Sequence, residues 1–192
     1  YLIESKKSPT SSNIQKQTPT PKVETLEKYN ISNEVGLRPW QVESVNKLIP
    51  AIKKWGCGID GSDVGTGKTY VACAVARDLD LNIMVVCPKA VKESWRRVIS
   101  DHFKMSDKCV GIINYESLRT GNRKNEVASF VKNRKTNRKE FTWKIPKRTL
   151  IVWDEAQKLK NPRTKNSDTC IAALKQGYKM LFCSATIATN PL

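Results

Sequence analysis

The chain predicts an α/β fold, a parallel sheet flanked by helices, and three observations carry that prediction. Apolar runs at 82–88, 109–114, 149–153 and 179–183 are uninterrupted, as strands buried on both faces are. Helical or turn-forming stretches separate them, and alternation of this kind builds parallel sheets. A glycine-rich loop at 62–69 stands between the short apolar run Cys57-Gly58-Ile59-Asp60 and a breaker-free helical stretch over 70–79.

Taken in order, residues 1–35 are rich in Ser, Thr, Pro, Lys and Gln, with Pro9, Pro19 and Pro21 and few large apolar side chains. Such a segment cannot bury enough surface to offset its ordering entropy, so a disordered or linker tail is expected there. Organised sequence is expected over 36–192. Its first helix opens at Leu37-Arg38-Pro39-Trp40-Gln41, with Val42, Val45, Leu48, Ile49 and Ile52 at helical spacing and Pro39 suited to the first turn. A Gln ahead of a glycine-rich loop can offer its amide to adenine, whose edge needs one donor and one acceptor; an ordinary solvated helix residue reads equally well at Gln41.

The loop itself is Ser62-Asp63-Val64-Gly65-Thr66-Gly67-Lys68-Thr69. Gly65 and Gly67 can take backbone conformations closed to other residues and let consecutive N–H groups approach an anion. Lys68 is placed to reach the β- and γ-phosphates of ATP and the Thr69 hydroxyl to hold Mg²⁺, with the positive end of the following helix behind them. The strict pattern begins with Gly, where this chain has Ser62. The first position closes the loop rather than touching phosphate, so the departure is tolerable.

The strand at 149–153 runs directly into Asp154-Glu155-Ala156-Gln157. Two acids at the carboxyl end of a buried strand lie where open α/β sheets place their ligands. Asp154 is expected to hold, directly or through water, the Mg²⁺ that Thr69 faces, and Glu155 to accept a proton from the attacking water or orient it. An acidic N-cap is the simpler reading, but a phosphate loop with Mg²⁺ needs such a carboxylate. The last strand leads into Ser184-Ala185-Thr186.

Residues 119–148 break the rhythm. They hold eleven Lys or Arg against two acids, so this insert carries a net +9 of the chain's +16. It reads either as an excursion that binds nucleic acid or a partner, with Phe130, Phe141 and Trp143 as stacking groups, or as a solvated loop whose aromatics pin it to the domain. The overall +16 implies a polyanionic partner, with nucleic acid favoured through counterion release, while an acidic protein partner or a membrane surface satisfies the same arithmetic.

The 39% hydrophobic content suits one core, and no apolar run approaches the length that spans a bilayer. The six cysteines form no Cys-x-x-Cys pair and have only His102 as an imidazole companion, so free thiols rather than zinc ligands are expected. With no charged-then-apolar leader, an intracellular site, nucleus or cytoplasm, is the expectation.

The order of motifs resembles the first RecA-like lobe of superfamily-two helicases, most closely the Swi/Snf-type double-stranded DNA translocases, over about residues 36–192. Leu37 to Gln41 is similar to the family's Gln motif, Asp63 to Thr69 to motif I, and Cys87-Pro88-Lys89 through Trp95 to motif Ia. Ile113 to Leu118 is similar to motif Ib, Ile151 to Asn161 to motif II, and Ser184 to Leu192 to motif III. The resemblance implies that Gln41 and Arg38 serve the adenine, that Lys68, Thr69, Asp154 and Glu155 serve phosphate, Mg²⁺ and water, and that Ser184 and Thr186 couple the ATP site to the nucleic acid. It places Pro88, Lys89 and Tyr115 near the phosphodiester backbone. Gln157 replaces the usual His of motif II, Ser-Ala-Thr stands where Thr-Gly-Thr-Pro is common, and Ala90 stands for a Ser.

By the same resemblance the partner is double-stranded DNA, and a second RecA-like lobe completes the ATP site in the full-length protein. This chain stops after the first lobe, which is expected to bind ATP weakly and hydrolyse it poorly alone. A strand-separating helicase on DNA or RNA is the nearest alternative. A basic tether with a degenerate ATPase is another, opposed by the joint presence of Lys68, Thr69, Asp154 and Glu155, which a tether does not need.

Overall fold

In a computed structural model of the chain, residues 36–120, 127–132, 137 and 139–185 are described. The expected tail over 1–35, Thr186 and parts of the basic insert lie outside them.

Helix α1 (Pro39–Trp55) starts on Pro39 and ends at Gly56, whose φ of 75° lets its N–H close on the Ile52 carbonyl. Val45, Leu48, Ile49 and Ile52 form its buried stripe. Strand β1 (Cys57–Asp60) leads through the glycine-rich loop into α2 (Lys68–Asp78), then β2 (Asn82–Cys87). A basic helical stretch follows, made of a 3₁₀ turn (Lys89–Val91), a six-residue α3 (Lys92–Arg97) and a π turn (Val98–His102). After it come β3 (Cys109–Asn114), α4 (Tyr115–Thr120), β4 (Ala128–Lys132), β5 (Lys139–Trp143), β6 (Thr149–Asp154), α5 (Lys165–Lys175) and β7 (Lys179–Cys183).

Five strands pair in parallel in the order β1-β7-β6-β2-β3. Because neighbours along a strand point to opposite faces, each central strand feeds two cores. Ile83, Val85, Leu150, Val152 and Leu181 pack against α1, α2 and Trp95; Met84, Val86, Ile151, Trp153 and Met180 pack against α4, α5 and the hairpin formed by β4 and β5. The molecule is therefore a three-layer α/β/α sandwich, with the expected parallel sheet flanked by helices.

The antiparallel hairpin within the insert was not foreseen. Phe141 and Trp143 are buried, and the Trp143 indole N–H donates to the Thr169 carbonyl at 3.0 Å. These two rings therefore pin the insert to α5 and are closed to stacking on nucleic acid, while Phe130 stays partly exposed. Arg148 and Lys147 are likewise engaged, Arg148 with Asp80 at 2.6 Å and Lys147 with the Gln176 carbonyl at 2.8 Å.

Candidate nucleotide and metal site

The register of the sheet sets the site. Asp60 of β1 and Asp154 of β6 both pair with Cys183 of β7, so the ends of three adjacent strands lie level. The glycine-rich loop leaves the first, Ser184 follows the second and Glu155 follows the third. This is the carboxyl edge of the sheet, where ligands of open α/β folds sit.

The loop is braced from within. Asp60, only 4% exposed, accepts from the Ser62 N–H at 3.1 Å and the Ser62 hydroxyl at 2.7 Å. That hydroxyl also meets Thr66 Oγ1 at 2.9 Å, and Thr66 Oγ1 donates to the Asp63 carbonyl at 2.8 Å. Ser62, the departure from the strict pattern, thus closes the loop with its side chain. Asp60 was missed by sequence reasoning; its signal was an acid on the inward phase of a strand, two residues after buried Gly58.

Gly65 and Gly67 both take left-handed backbone, with φ of 81° and 84°. A Cβ on Gly67 would stand 2.2 Å from Gln41 Nε2, so a side chain there adds to the backbone strain the displacement of the Gln41 amide. Helix α2 begins immediately after, with no side-chain cap on Gly67, and its first amide groups are free of intrahelical acceptors. Val64 is 86% exposed at the loop tip. Lys68 Nζ donates to the Ser62 and Asp63 carbonyls, each at 2.7 Å, and an ammonium keeps a third donor. The half-buried Thr69 lies on the first turn of α2.

Gln41 is buried and does more than the sequence suggested. Its Oε1 accepts from the Arg38 N–H at 2.9 Å, and its Nε2 donates to the Thr66 carbonyl at 2.9 Å, joined by the Trp40 indole at 3.2 Å. The Gln amide thereby fastens α1 to the loop and has one N–H left for a base. Beside it opens a cleft of about 610 Å³ lined by Arg38, Trp40, Gln41, Gly67, Tyr70 and His102. Its size lies within the range of small-molecule sites. Tyr70 and His102 were not read as site residues; their rings meet edge to face at 5.3 Å, and the π turn delivers His102 there.

Asp154 is held on both of its sides. Trp95 Nε1 donates to Oδ2 at 2.8 Å, the Glu155 N–H to Oδ1 at 3.0 Å, and the Tyr115 hydroxyl to the Asp154 main-chain carbonyl at 2.8 Å. Burial raises its carboxyl above the ordinary range, and repulsion from Glu155 adds to this against the Trp95 bond and the Lys68 charge. Tyr115, expected beside a phosphodiester backbone, is instead 1% exposed and turned inward to Asp154. Lys89 is exposed and Pro88 half-buried beyond the end of β2.

Glu155 is exposed and left-handed, with φ of 55°. Gln157 Nε2 donates to its Oε2, and the Ser184 hydroxyl donates to Gln157 Oε1 at 2.7 Å. Ser184 is thereby joined to Glu155 through one amide. A Gln can bridge a carboxylate and a hydroxyl with no change of protonation, which accounts physically for its place in a position where the resemblance expects His.

The residues fit a nucleoside triphosphate with Mg²⁺. The cradle turns on two left-handed glycines, amide donors and a lysine surround it, and a desolvated carboxylate on the next-but-one strand supplies the hard oxygen ligand that Mg²⁺ prefers. Such a sheet, with its loop and acid pair, defines a RecA-like P-loop lobe. The chain belongs to the SNF2-related domain family, whose profile matches residues 1–191. It is thus an ATPase domain of the SNF2-type helicase superfamily.

A putative ATP-dependent RNA helicase of Acanthamoeba polyphaga mimivirus is 29% identical over 193 residues, covering 92% of this chain and 35% of that protein. The SWI2/SNF2 ATPase core of Sulfolobus solfataricus, solved in complex with dsDNA, is similar with a TM-score of 0.54 and 26% identity, over 84% of this chain and 34% of that one. The chain spans about a third of the length of both relatives.

Proposed function

We propose that this chain is the ATP-binding lobe of a motor that translocates on or remodels double-stranded DNA, using ATP and Mg²⁺. The observation that carries it is the convergence of the loop, Asp154-Glu155 and the Gln157–Ser184 bridge on three level strand ends. The likeness to a SWI2/SNF2 core bound to dsDNA favours duplex DNA as the track.

In this reading the amides of 65–69 and Lys68 bind the phosphates, and the base enters the cleft between Arg38, Gln41, Tyr70 and His102. Thr69 and Asp154 would hold Mg²⁺, which would supply charge neutralisation at the phosphate oxygens. Glu155 orients the attacking water or takes its proton. Its tie to Ser184 through Gln157 links that carboxylate to the segment following β7, on which Thr186 also lies. Lys89 and Pro88 stand on the nucleic-acid side. Residues 36–192 form one lobe, and a second lobe of the full-length protein completes the site and supplies the positive charge that phosphoryl transfer requires. Action inside the cell, in nucleus or cytoplasm, follows from a DNA substrate.

A strand-separating helicase on RNA is the second reading, favoured by the name of the viral relative and by Ser184-Ala185-Thr186. ATP turnover by the full-length protein with duplex DNA, single-stranded DNA and RNA separates the two. Stimulation by duplex DNA that Lys68→Ala abolishes is the expected result. Preferential stimulation by RNA establishes the second reading, and nucleic-acid binding with no turnover under any condition leaves only a tether.

A further inference from the structure

Asp154 ends the central strand β6, and the two layers of the sandwich grip it at different atoms. From the face that carries α1 to α3, the Trp95 indole reaches across 59 residues of sequence to carboxylate Oδ2 at 2.8 Å. From the opposite face, the Tyr115 hydroxyl reaches the main-chain carbonyl of Asp154 at 2.8 Å. Both rings are 1% exposed, so neither can be drawn away by solvent. Among the described residues neither side chain makes another hydrogen bond, and the further polar contact of Tyr115 is the Lys158 ammonium over its ring face, 5.7 Å from the centroid.

The two bonds act on different groups. Oδ2 belongs to the carboxylate, and the indole N–H leaves it a second lone pair in a fixed direction. The carbonyl belongs to the peptide unit that joins Asp154 to Glu155. Glu155 has φ of 55°, a left-handed backbone that is strained for a non-glycine residue and persists only where its surroundings over-determine it. Fixing the plane of the preceding peptide is one such determinant, with the Gln157 contact as another.

We propose that Trp95 and Tyr115 are positioning residues with separate tasks: Trp95 aims the Asp154 carboxylate at Mg²⁺, and Tyr115 fixes the Asp154–Glu155 peptide and so aims Glu155. This rests on the reading of Asp154 as a Mg²⁺ ligand and Glu155 as the group that handles water. Partners behind metal ligands typically govern affinity by 10- to 100-fold when removed. A small misplacement of a group that acts on the reacting atoms falls on turnover instead.

The test compares Trp95→Phe, Tyr115→Phe, Asp154→Asn and Ile99→Ala in the full-length protein. A fluorescent ATP analogue is titrated in EDTA and across a Mg²⁺ series, and kcat and KM are measured at saturating Mg²⁺. Trp95→Phe is expected to raise the Mg²⁺ concentration for half-maximal binding about 10- to 100-fold, with affinity in EDTA unchanged. Tyr115→Phe, which keeps the ring, is expected to lower kcat about 10- to 100-fold with Mg²⁺ dependence and KM within about twofold. Ile99→Ala removes a buried side chain of the same helical stretch that makes no hydrogen bond to Asp154, and is expected to lower Tm without moving either readout.

If Asp154→Asn leaves the Mg²⁺ dependence intact, the underlying reading of the site fails. If Asp154→Asn abolishes it and Trp95→Phe does not shift it, the role of Trp95 is overturned alone. Loss in Tyr115→Phe that falls equally on nucleotide affinity and kcat, or no loss, overturns the role of Tyr115. Should Trp95→Phe fail to fold, the Tyr115 arm still decides its half of the proposal.

Discussion

Replacing Glu155 with glutamine is expected to lower ATP turnover of the full-length protein by about 10²- to 10⁴-fold, the span that a positioned general base typically contributes. The Glu155 side chain is exposed at the edge of the sheet and touches the rest of the chain through Gln157. Glutamine keeps the shape and the left-handed backbone but cannot take a proton. Its amide can still meet Gln157, so the fold and the cradle are untouched, and affinity for ATP·Mg²⁺ should stay within a few-fold of the parent. The measurement is a pair: steady-state turnover, and equilibrium binding of a fluorescent ATP analogue. Equal losses in both would mean that Glu155 binds nucleotide and does not act on water.

Gly67→Ala is the second large effect, and here binding fails first. The φ of 84° disfavours any side chain, at a cost of about 1–2 kcal/mol. The new methyl would also lie 2.2 Å from Gln41 Nε2, an impossible approach. Gln41 must then give up the Thr66 carbonyl, and with it the fastening of α1 to the loop. Nucleotide affinity should fall at least about tenfold, since each 1.4 kcal/mol lost is a factor of ten. Gly65→Ala separates the two causes. Gly65 has a similar φ of 81° but nothing within 4 Å of its Cβ position, so its substitution carries the strain without the clash and costs less. Equal losses at the two positions would show that strain alone decides, and that the Gln41 contact is incidental.

Much of this site was legible because its constraints are local. Gly65, Gly67, Lys68 and Thr69 sit at spacings that backbone geometry enforces, and Asp154-Glu155 follow a run, Leu150 to Trp153, whose apolarity on both phases marks a central strand. The parallel sheet was legible for the same reason: Val85, Val86, Ile151 and Val152 alternate between two cores, so no polar phase interrupts them.

What escaped notice depends on contacts distant in sequence. Nothing local to Trp95 or Tyr115 states that both meet Asp154, and Tyr115 in particular was expected near the phosphodiester backbone. Asp60 looked like the polar end of a short strand, although its inward phase made it a brace for Ser62. The hairpin of β4 and β5 was hidden because the charge of the surrounding lysines and arginines outweighed a short alternation, with Phe141 and Trp143 two residues apart on one face. His102 reaches the cleft through a π turn, which carries no residue signature.

The central claim, a motor that moves along duplex DNA without parting its strands, is tested most directly by displacement of a third strand bound to a duplex. The full-length protein is expected to release the third strand in a reaction that needs ATP and Mg²⁺, leaves the duplex paired, and is lost in Lys68→Ala. Separation of the duplex strands, or release that persists in Lys68→Ala, would contradict it.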